Sequence, residues 1–358
     1  MRRRHLARAV LARLDGRPEE FKGYDVAKEE LWEAQHHKCA WCDQTFDRGF
    51  QPVEHLRPKS DVDRGDPTTT PPRRRPQGAG YWWLAWTWSN TLFGCVTCNG
   101  NKGIWFPLEP STAALCAPPE GGVVEDALPC FDLTSERPAL IDPSCEDPMR
   151  HIEWRPEDER VAPESMRWTP VHKTERGRVT IAVLHLHGWV KDRVTGHVKR
   201  RLWGSHLKHI AHLLATSRTV EARRAWRAMV AAVFAPEEPL HAASYDALRF
   251  LSRKLRWDGL SFDLPRPGAL PLYGPIRAPL LDPPELQKLP ARLRLEIHAA
   301  EKSTSDLMLG IYAHGVWSDA AMARTLGLRE PTIRDHREQL VNAKTVIVAP
   351  GGGYTLAP

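Results

Sequence analysis

The chain has 358 residues, 42% hydrophobic and 26% charged, with a formal net charge of +6. That length allows two or three domains, and the composition is that of a globular protein. No apolar run approaches the ~18 residues of a membrane-spanning helix. The charge is unevenly spread. Residues 111–172 hold 13 Asp+Glu against 5 Lys+Arg, and residues 173–256 hold 17 Lys+Arg against 6 Asp+Glu.

Residues 1–24 are basic, and Arg8 and Arg13 interrupt any signal-peptide core. They read as an amphipathic helix, a phosphate-binding arm or a solvated end, with the solvated end as the leading expectation. Residues 25–37 read as a helix capped by Asp25, with Ala27, Leu31, Trp32 and Ala34 as its apolar face. The helix leads into Cys39-Ala40-Trp41-Cys42, and a second pair follows as Cys95-Val96-Thr97-Cys98. Two thiolate pairs of this spacing are what a tetrahedral structural Zn²⁺ takes, at about 2.3 Å per Zn–S bond. His36 and His37 adjoin the first pair, but four cysteines already close the tetrahedron. The other cysteines, Cys116, Cys130 and Cys145, are an odd set without paired spacing. That pattern argues for reduced thiols and a cytoplasmic home.

Between the pairs lies Val53-Glu54-His55-Leu56-Arg57-Pro58-Lys59. Residues 61–80 then read as a loop, with Pro67, Pro71, Pro72 and Pro76 and the triplet Arg73-Arg74-Arg75. Trp82, Trp83, Trp86 and Trp88 are expected to form a hydrophobic floor rather than a base-stacking platform. Asn90 precedes the second Cys pair, and Asn99, Lys102 and Gly103 follow it.

Two CxxC pairs bracketing Glu54-His55, with Asn90 and then Cys98-Asn99-x-x-Lys102-Gly103, resemble the HNH endonucleases. More narrowly, Tyr81-Trp82-Trp83-Leu84-Ala85-Trp86, Phe106-Pro107-Leu108, Glu136-Arg137-Pro138-Ala139-Leu140-Ile141-Asp142-Pro143 and Arg176-Gly177-Arg178-Val179-Thr180 are similar to the bacterial antiviral PtuB-like group of Septu systems. The resemblance covers about residues 25–205. It implies a zinc-knotted ββα-metal core, an α+β fold, in residues 25–110. It also implies His55 as the base that activates water, Asn90 as the loop brace, and Glu54 and Asn99 as ligands of a catalytic Mg²⁺ or Mn²⁺. Glu54 stands where many members carry Asp, and Asn99 where many carry His. Both still offer oxygen to a hard cation. Arg57, Lys59, Lys102 and the triplet Arg73, Arg74 and Arg75 become candidate phosphate contacts. Nucleic acid, most readily double-stranded DNA, is the expected partner, and the resemblance adds an ABC/SMC-type ATPase. A free-standing restriction-like or mobile-element nuclease is the alternative, as is a zinc-stabilised DNA-binding regulator without activity.

Residues 111–260 read as a largely helical, basic extension. Trp226, Met229, Val230, Val233 and Phe234 make one buried helical stripe, and a second helix is expected over Tyr245–Leu255. Alone, the basic excess is what solvated helix faces show. Beside a nuclease it is the footprint of a phosphate backbone. Residues 261–294 are a proline-rich linker.

Residues 295–358 resemble a winged helix-turn-helix. Asp306–His314 gives a first helix, Ser318 caps a second through Leu326, and Gly327 turns the chain. Pro331 opens a third, and two short strands flank Gly351-Gly352-Gly353. Ala320, Ala323, Leu326, Leu328, Ile333 and Leu340 are the expected core. Such a module presents its third helix to the DNA major groove, here with Arg334 and Arg337, or serves as a protein dock.

Overall fold

A computed structural model describes residues 2–18, 20–68, 78–115, 133, 135–257, 264–266 and 283–358. The triplet Arg73–Arg75, Cys116, Cys130 and most of the proline-rich linker lie outside them. The described residues fall into two units, one drawn from 1–24, 117–133 and 276–358 and the other from 25–116 and 134–275. Helix α1 (Arg2–Leu14) belongs to the first. Among the described residues no helix is long and apolar enough to cross a membrane.

In the larger unit, α2 (Lys28–Ala34) follows a 3₁₀ turn and buries Leu31. Strand β1 (Val53–His55) pairs antiparallel with β2 (Thr91–Phe93), in the register Val53↔Phe93, Glu54↔Leu92 and His55↔Thr91. Helix α3 (Val96–Lys102) follows directly, its first turn capped by the Cys95 sulfur accepting from the Cys98 amide. The fully buried Gln35 ties α2 to β2. Its side-chain Nε2 donates to the Phe93 carbonyl and its Oε1 accepts from the Phe93 amide, at 2.9 and 2.7 Å.

A second antiparallel pair, β3 (Ile152–Pro156) with β4 (Trp168–His172), supports the helices that follow. These are α4 (Glu175–Leu184), α5 (Trp189–His197), a π-helix over Val198–Leu207 and α6 (Lys208–Ala215), then α7 (Thr219–Val233) and α8 (His241–Lys254). On α7 the expected stripe buries Trp226, Met229 and Val233. Each such side chain contributes roughly 1.5–3 kcal/mol by leaving water.

Helix α8 packs on β3, where the Asp246 carboxylate accepts from the Trp154 amide at 2.8 Å. Burial pushes the Asp246 carboxyl up to about 6. A carboxyl raised above its unfolded value favours the fold below the unfolded pKa and loses that contribution as pH rises through about 6. Asp246→Asn keeps an oxygen for the Trp154 amide and removes the charge. The variant is expected to gain stability over wild type at pH 8 and to lose that advantage at pH 4, by urea unfolding at both values.

In the smaller unit α1 is packed rather than solvated, correcting the expectation for residues 1–24. Leu6, Ala7, Val10 and Leu11 are buried, and α1 lies along α10 (Ala291–Ala299), whose start follows the short α9 (Pro284–Gln287). The Arg8 Nε donates to the Ala299 carbonyl at 3.0 Å, and Arg4 reaches the same oxygen, so both arginines cap the C-terminus of α10.

Helices α11 (Thr304–Tyr312), α12 (Asp319–Leu326) and α13 (Glu330–Asn342) precede a hairpin of β5 (Val346–Val348) and β6 (Tyr354–Leu356). The Ser318 hydroxyl caps α12, and Gly327 ends it at φ +65°, a left-handed conformation that suits glycine. Met308, Ile311, Tyr312, Met322, Ala323, Ile333 and Val346 make the core. Leu328, expected inside, is 39% exposed. Because α1 covers α10, residues 1–257 alone should expose Leu6, Val10 and Leu11 and aggregate. Residues 25–257 should stay monomeric and zinc-bound, by size-exclusion chromatography with metal analysis.

Candidate metal and catalytic centre

Cys39, Cys42, Cys95 and Cys98 are all buried, and their sulfurs lie within 4.8 Å of one another. Four thiolates about 2.3 Å from one Zn²⁺ fit that spacing, so the cluster can hold a zinc ion. Hydrogen bonds from Cys39, Cys42 and Cys98 hold the Cys95 thiol far below its ordinary value, while burial pushes the Cys42 thiol up. His37 stacks on Trp32 at 3.8 Å between ring centres, and neither His36 nor His37 is in the cluster.

The first knuckle is also tied to the helical part of the larger unit. Buried Lys38 pairs with Asp43 at 3.2 Å, and the Asp43 carboxylate accepts from the His241 amide at 2.7 Å at the start of α8. Cys39 and Cys42 share with Leu186, Val190 and Leu240 the lining of an apolar cavity of about 150 Å³.

His55 ends β1 and is buried at 5% exposure. Its Nε2 lies 2.9 Å from the Ala85 carbonyl oxygen. A carbonyl only accepts, so the neutral ring carries its proton on Nε2 and keeps Nδ1 as the acceptor. Burial, followed by the positive charge of Lys59, pulls the His55 imidazole down to about 3. The ring is therefore neutral across the physiological range.

Asn90 clamps the turn after His55. Its Oδ1 accepts from the Arg57 amide at 2.7 Å, and its Nδ2 donates to the Arg57 carbonyl at 3.0 Å and to the Leu84 carbonyl at 3.3 Å. The Tyr81 amide donates to the Pro58 carbonyl at 2.7 Å. That approach is possible because residue 80 is glycine: a Cβ there would sit 2.6 Å from the Pro58 oxygen. Tyr81, Trp82, Trp83 and Trp86 are buried, and Trp88 is half-buried, as a hydrophobic floor requires.

Glu54, on the opposite strand face from His55, is also buried. Its Oε1 pairs with Lys102 Nζ at 3.0 Å, while its Oε2 is buried without a hydrogen-bond partner. Burial raises its carboxyl despite Lys102. Asn99 is half-exposed on α3, three residues before Lys102 and so on the neighbouring helical turn.

The candidate phosphate contacts divide into two kinds. Lys59 is half-exposed, as is Arg337, whereas Arg334 is exposed. Arg57 and Lys102 are buried and paired. Arg57 Nε donates to Glu136 at 2.9 Å, and its guanidinium lies over the Phe106 ring at 5.1 Å. A phosphate contact by Arg57 or Lys102 requires these pairs to open. Arg337 pairs with Asp319 at 3.0 Å and covers the Tyr354 ring at 4.4 Å. The Glu136 partnership is not apparent from the sequence, where nothing in Glu136-Arg137-Pro138 points to Arg57.

No family model matches the chain, and no solved structure does. The chain is 30% identical over 121 residues to the Septu protein PtuB of Bacillus mycoides (strain KBAB4), a stretch covering 33% of this chain and 35% of that protein. It thus spans about a third of the length of the curated relative it matches, and its likeness to that Septu protein is confined to that stretch.

Proposed function

We propose that the chain is a metal-dependent HNH endonuclease that cuts DNA in antiviral defence. The observation that carries the reading is the state of His55: a buried neutral imidazole, fixed through Nε2 to Ala85, at the end of a strand pair leading into α3. The likeness to a Septu protein supports the defence role. The core is a zinc-knotted ββα-metal unit, and the tail is a winged helix that docks on DNA through α13 or on a protein.

In this reading His55 Nδ1 takes a proton from water as the water oxygen forms its bond to phosphorus. The P–O3′ bond breaks, the leaving 3′ oxygen takes a proton from solvent water, and His55 returns its proton to solvent. Asn90 holds Arg57 and thereby the turn that presents His55. Glu54 and Asn99 are the residues that would hold a divalent ion, and the partnerless buried Oε2 of Glu54 suits a cation. A Mg²⁺ or Mn²⁺ ion held there would supply charge neutralisation for the phosphate and the leaving oxygen. An ATPase of the ABC/SMC type is the proposed partner, and double-stranded DNA the proposed substrate.

The test is incubation of the purified chain with supercoiled plasmid, linear duplex and RNA under Mg²⁺ or Mn²⁺, with and without a neighbouring ATPase. Metal-dependent nicking or cutting supports the nuclease. Intact nucleic acid in every condition, with binding preserved, moves the chain to the inactive regulator.

A further inference from the structure

The helix running from Trp189 to Ala215 carries six Lys and Arg against one Asp. Its apolar positions are already used: Val190, Val194, Val198, Leu202, Leu207, Ile210 and Leu213 are buried. What remains outside is a polar face. On it Arg193, Lys199, Arg200 and Lys208 are exposed, and among the described residues none has an ion-pair partner. Other cations of the same unit are engaged differently. Arg201 pairs with Glu238 at 2.9 Å, and Arg176 holds Glu146. The single acid on the helix, Asp192, faces Arg167 at 3.9 Å.

The middle of this helix is the ten-residue π segment Val198–Leu207. Its i→i+5 bonding puts more residues in each turn than an α-helix does, so positions four and five apart stack. That geometry brings Arg200, Gly204 and Lys208 into one column, with Lys199 beside it. Arg200 lies over Gly196, where a Cβ would come within 2.8 Å of its guanidinium. Gly204 is exposed and leaves the backbone bare between Arg200 and Lys208. Arg193 to Lys208 spans about 22 Å at roughly 1.5 Å per residue, some six to seven base pairs of duplex.

We infer that this face is a phosphate-backbone track, a second nucleic-acid contact separate from the catalytic centre, with Arg193, Lys199, Arg200 and Lys208 each meeting a phosphate. The inference rests on the nuclease reading and adds where the substrate lies on the larger unit. Unpaired cations spaced along a continuous helix suit the regular charge of a duplex. A membrane surface is disfavoured because the helix has no apolar side left to insert.

The test uses the full chain carrying His55→Gln, without added Mg²⁺ or Mn²⁺ so that the substrate stays intact, and a fluorescent 30-base-pair duplex of arbitrary sequence. Anisotropy titrations over a salt series compare this parent with the triple variant Lys199→Gln, Arg200→Gln and Lys208→Gln. A control with the same charge loss, Arg137→Gln, Arg160→Gln and Arg167→Gln, removes cations that already face carboxylates. Three lost phosphate contacts should weaken binding at least ~10-fold and lower the slope of log K against log salt by about 0.9 each. The control should move both far less. Equal slopes and affinities for parent and track variant overturn the inference while the nuclease reading stands. A parent that binds neither duplex nor RNA overturns both. Displacement of the duplex by polyglutamate of equal charge overturns the duplex as the track's partner in favour of an acidic protein.

Discussion

Replacing His55 with alanine is expected to reduce DNA cleavage by about 10²–10⁴-fold, the usual contribution of a positioned general base. His55 also has a structural tie, because its Nε2 holds the buried Ala85 carbonyl. Alanine leaves that oxygen without a donor, at a cost of roughly 1–3 kcal/mol. His55→Gln separates the two effects, since its amide can still donate to Ala85 while offering no base in the working pH range. Both variants should retain about one zinc per chain and bind duplex with parental affinity, with the glutamine variant melting closer to wild type. Plasmid nicking under Mg²⁺, metal analysis and thermal unfolding read these properties together. Cleavage by His55→Gln at the wild-type rate would place the base elsewhere and leave His55 only its contact with Ala85.

The sequence disclosed most where the information was local. Paired cysteines separated by two residues, a carboxylate beside His55, and Asn90 ahead of the second pair all lie in one short stretch. The same holds for the tail, where Ser318 and Gly327 begin and end α12 within one contiguous segment. What stayed hidden depends on partners far apart in the chain. Arg57 reads as a candidate phosphate contact until Glu136, 79 residues away, is brought against it. Residues 1–24 look like a charged end because α10, which buries Leu6 and Val10, comes nearly 300 residues later. Lys102 and Glu54 are each plausible ligands of something external. Only the fold, which brings the end of α3 within 3.0 Å of the Glu54 carboxylate, makes them partners of each other. Leu328 is exposed for a simpler reason: it follows the left-handed Gly327, where the chain has left α12 and its apolar residue no longer points to the core.

Cys95→Ser should lower zinc content to a small fraction of one ion per chain and destabilise the larger unit by several kcal/mol. The cluster joins the segment after α2 to the start of α3, so losing the metal releases two distant parts of the chain at once. Cys95 also caps α3, its sulfur accepting from the Cys98 amide at 3.3 Å, and it receives the neighbouring knuckle through its own amide, which donates to the Cys39 sulfur at 3.2 Å. A serine oxygen can retain the cap but is a poorer ligand for a borderline-soft ion. Asn99→Ala provides the contrast. Asn99 lies one residue past Cys98, half-exposed, and is outside the cysteine cluster. Its loss should leave zinc near one ion per chain and unfolding unchanged within about 0.5 kcal/mol, as for a surface substitution. The Mg²⁺ or Mn²⁺ concentration needed for half-maximal cleavage should instead rise at least ~10-fold, since removing one of two proposed protein ligands weakens a site that already relies on water for most of its coordination. Zinc content by atomic absorption, urea unfolding and a Mg²⁺ titration of plasmid nicking distinguish the two variants. If Asn99→Ala loses zinc as readily as Cys95→Ser, a single metal site serves both roles and the assignment of Glu54 and Asn99 to a separate divalent ion fails.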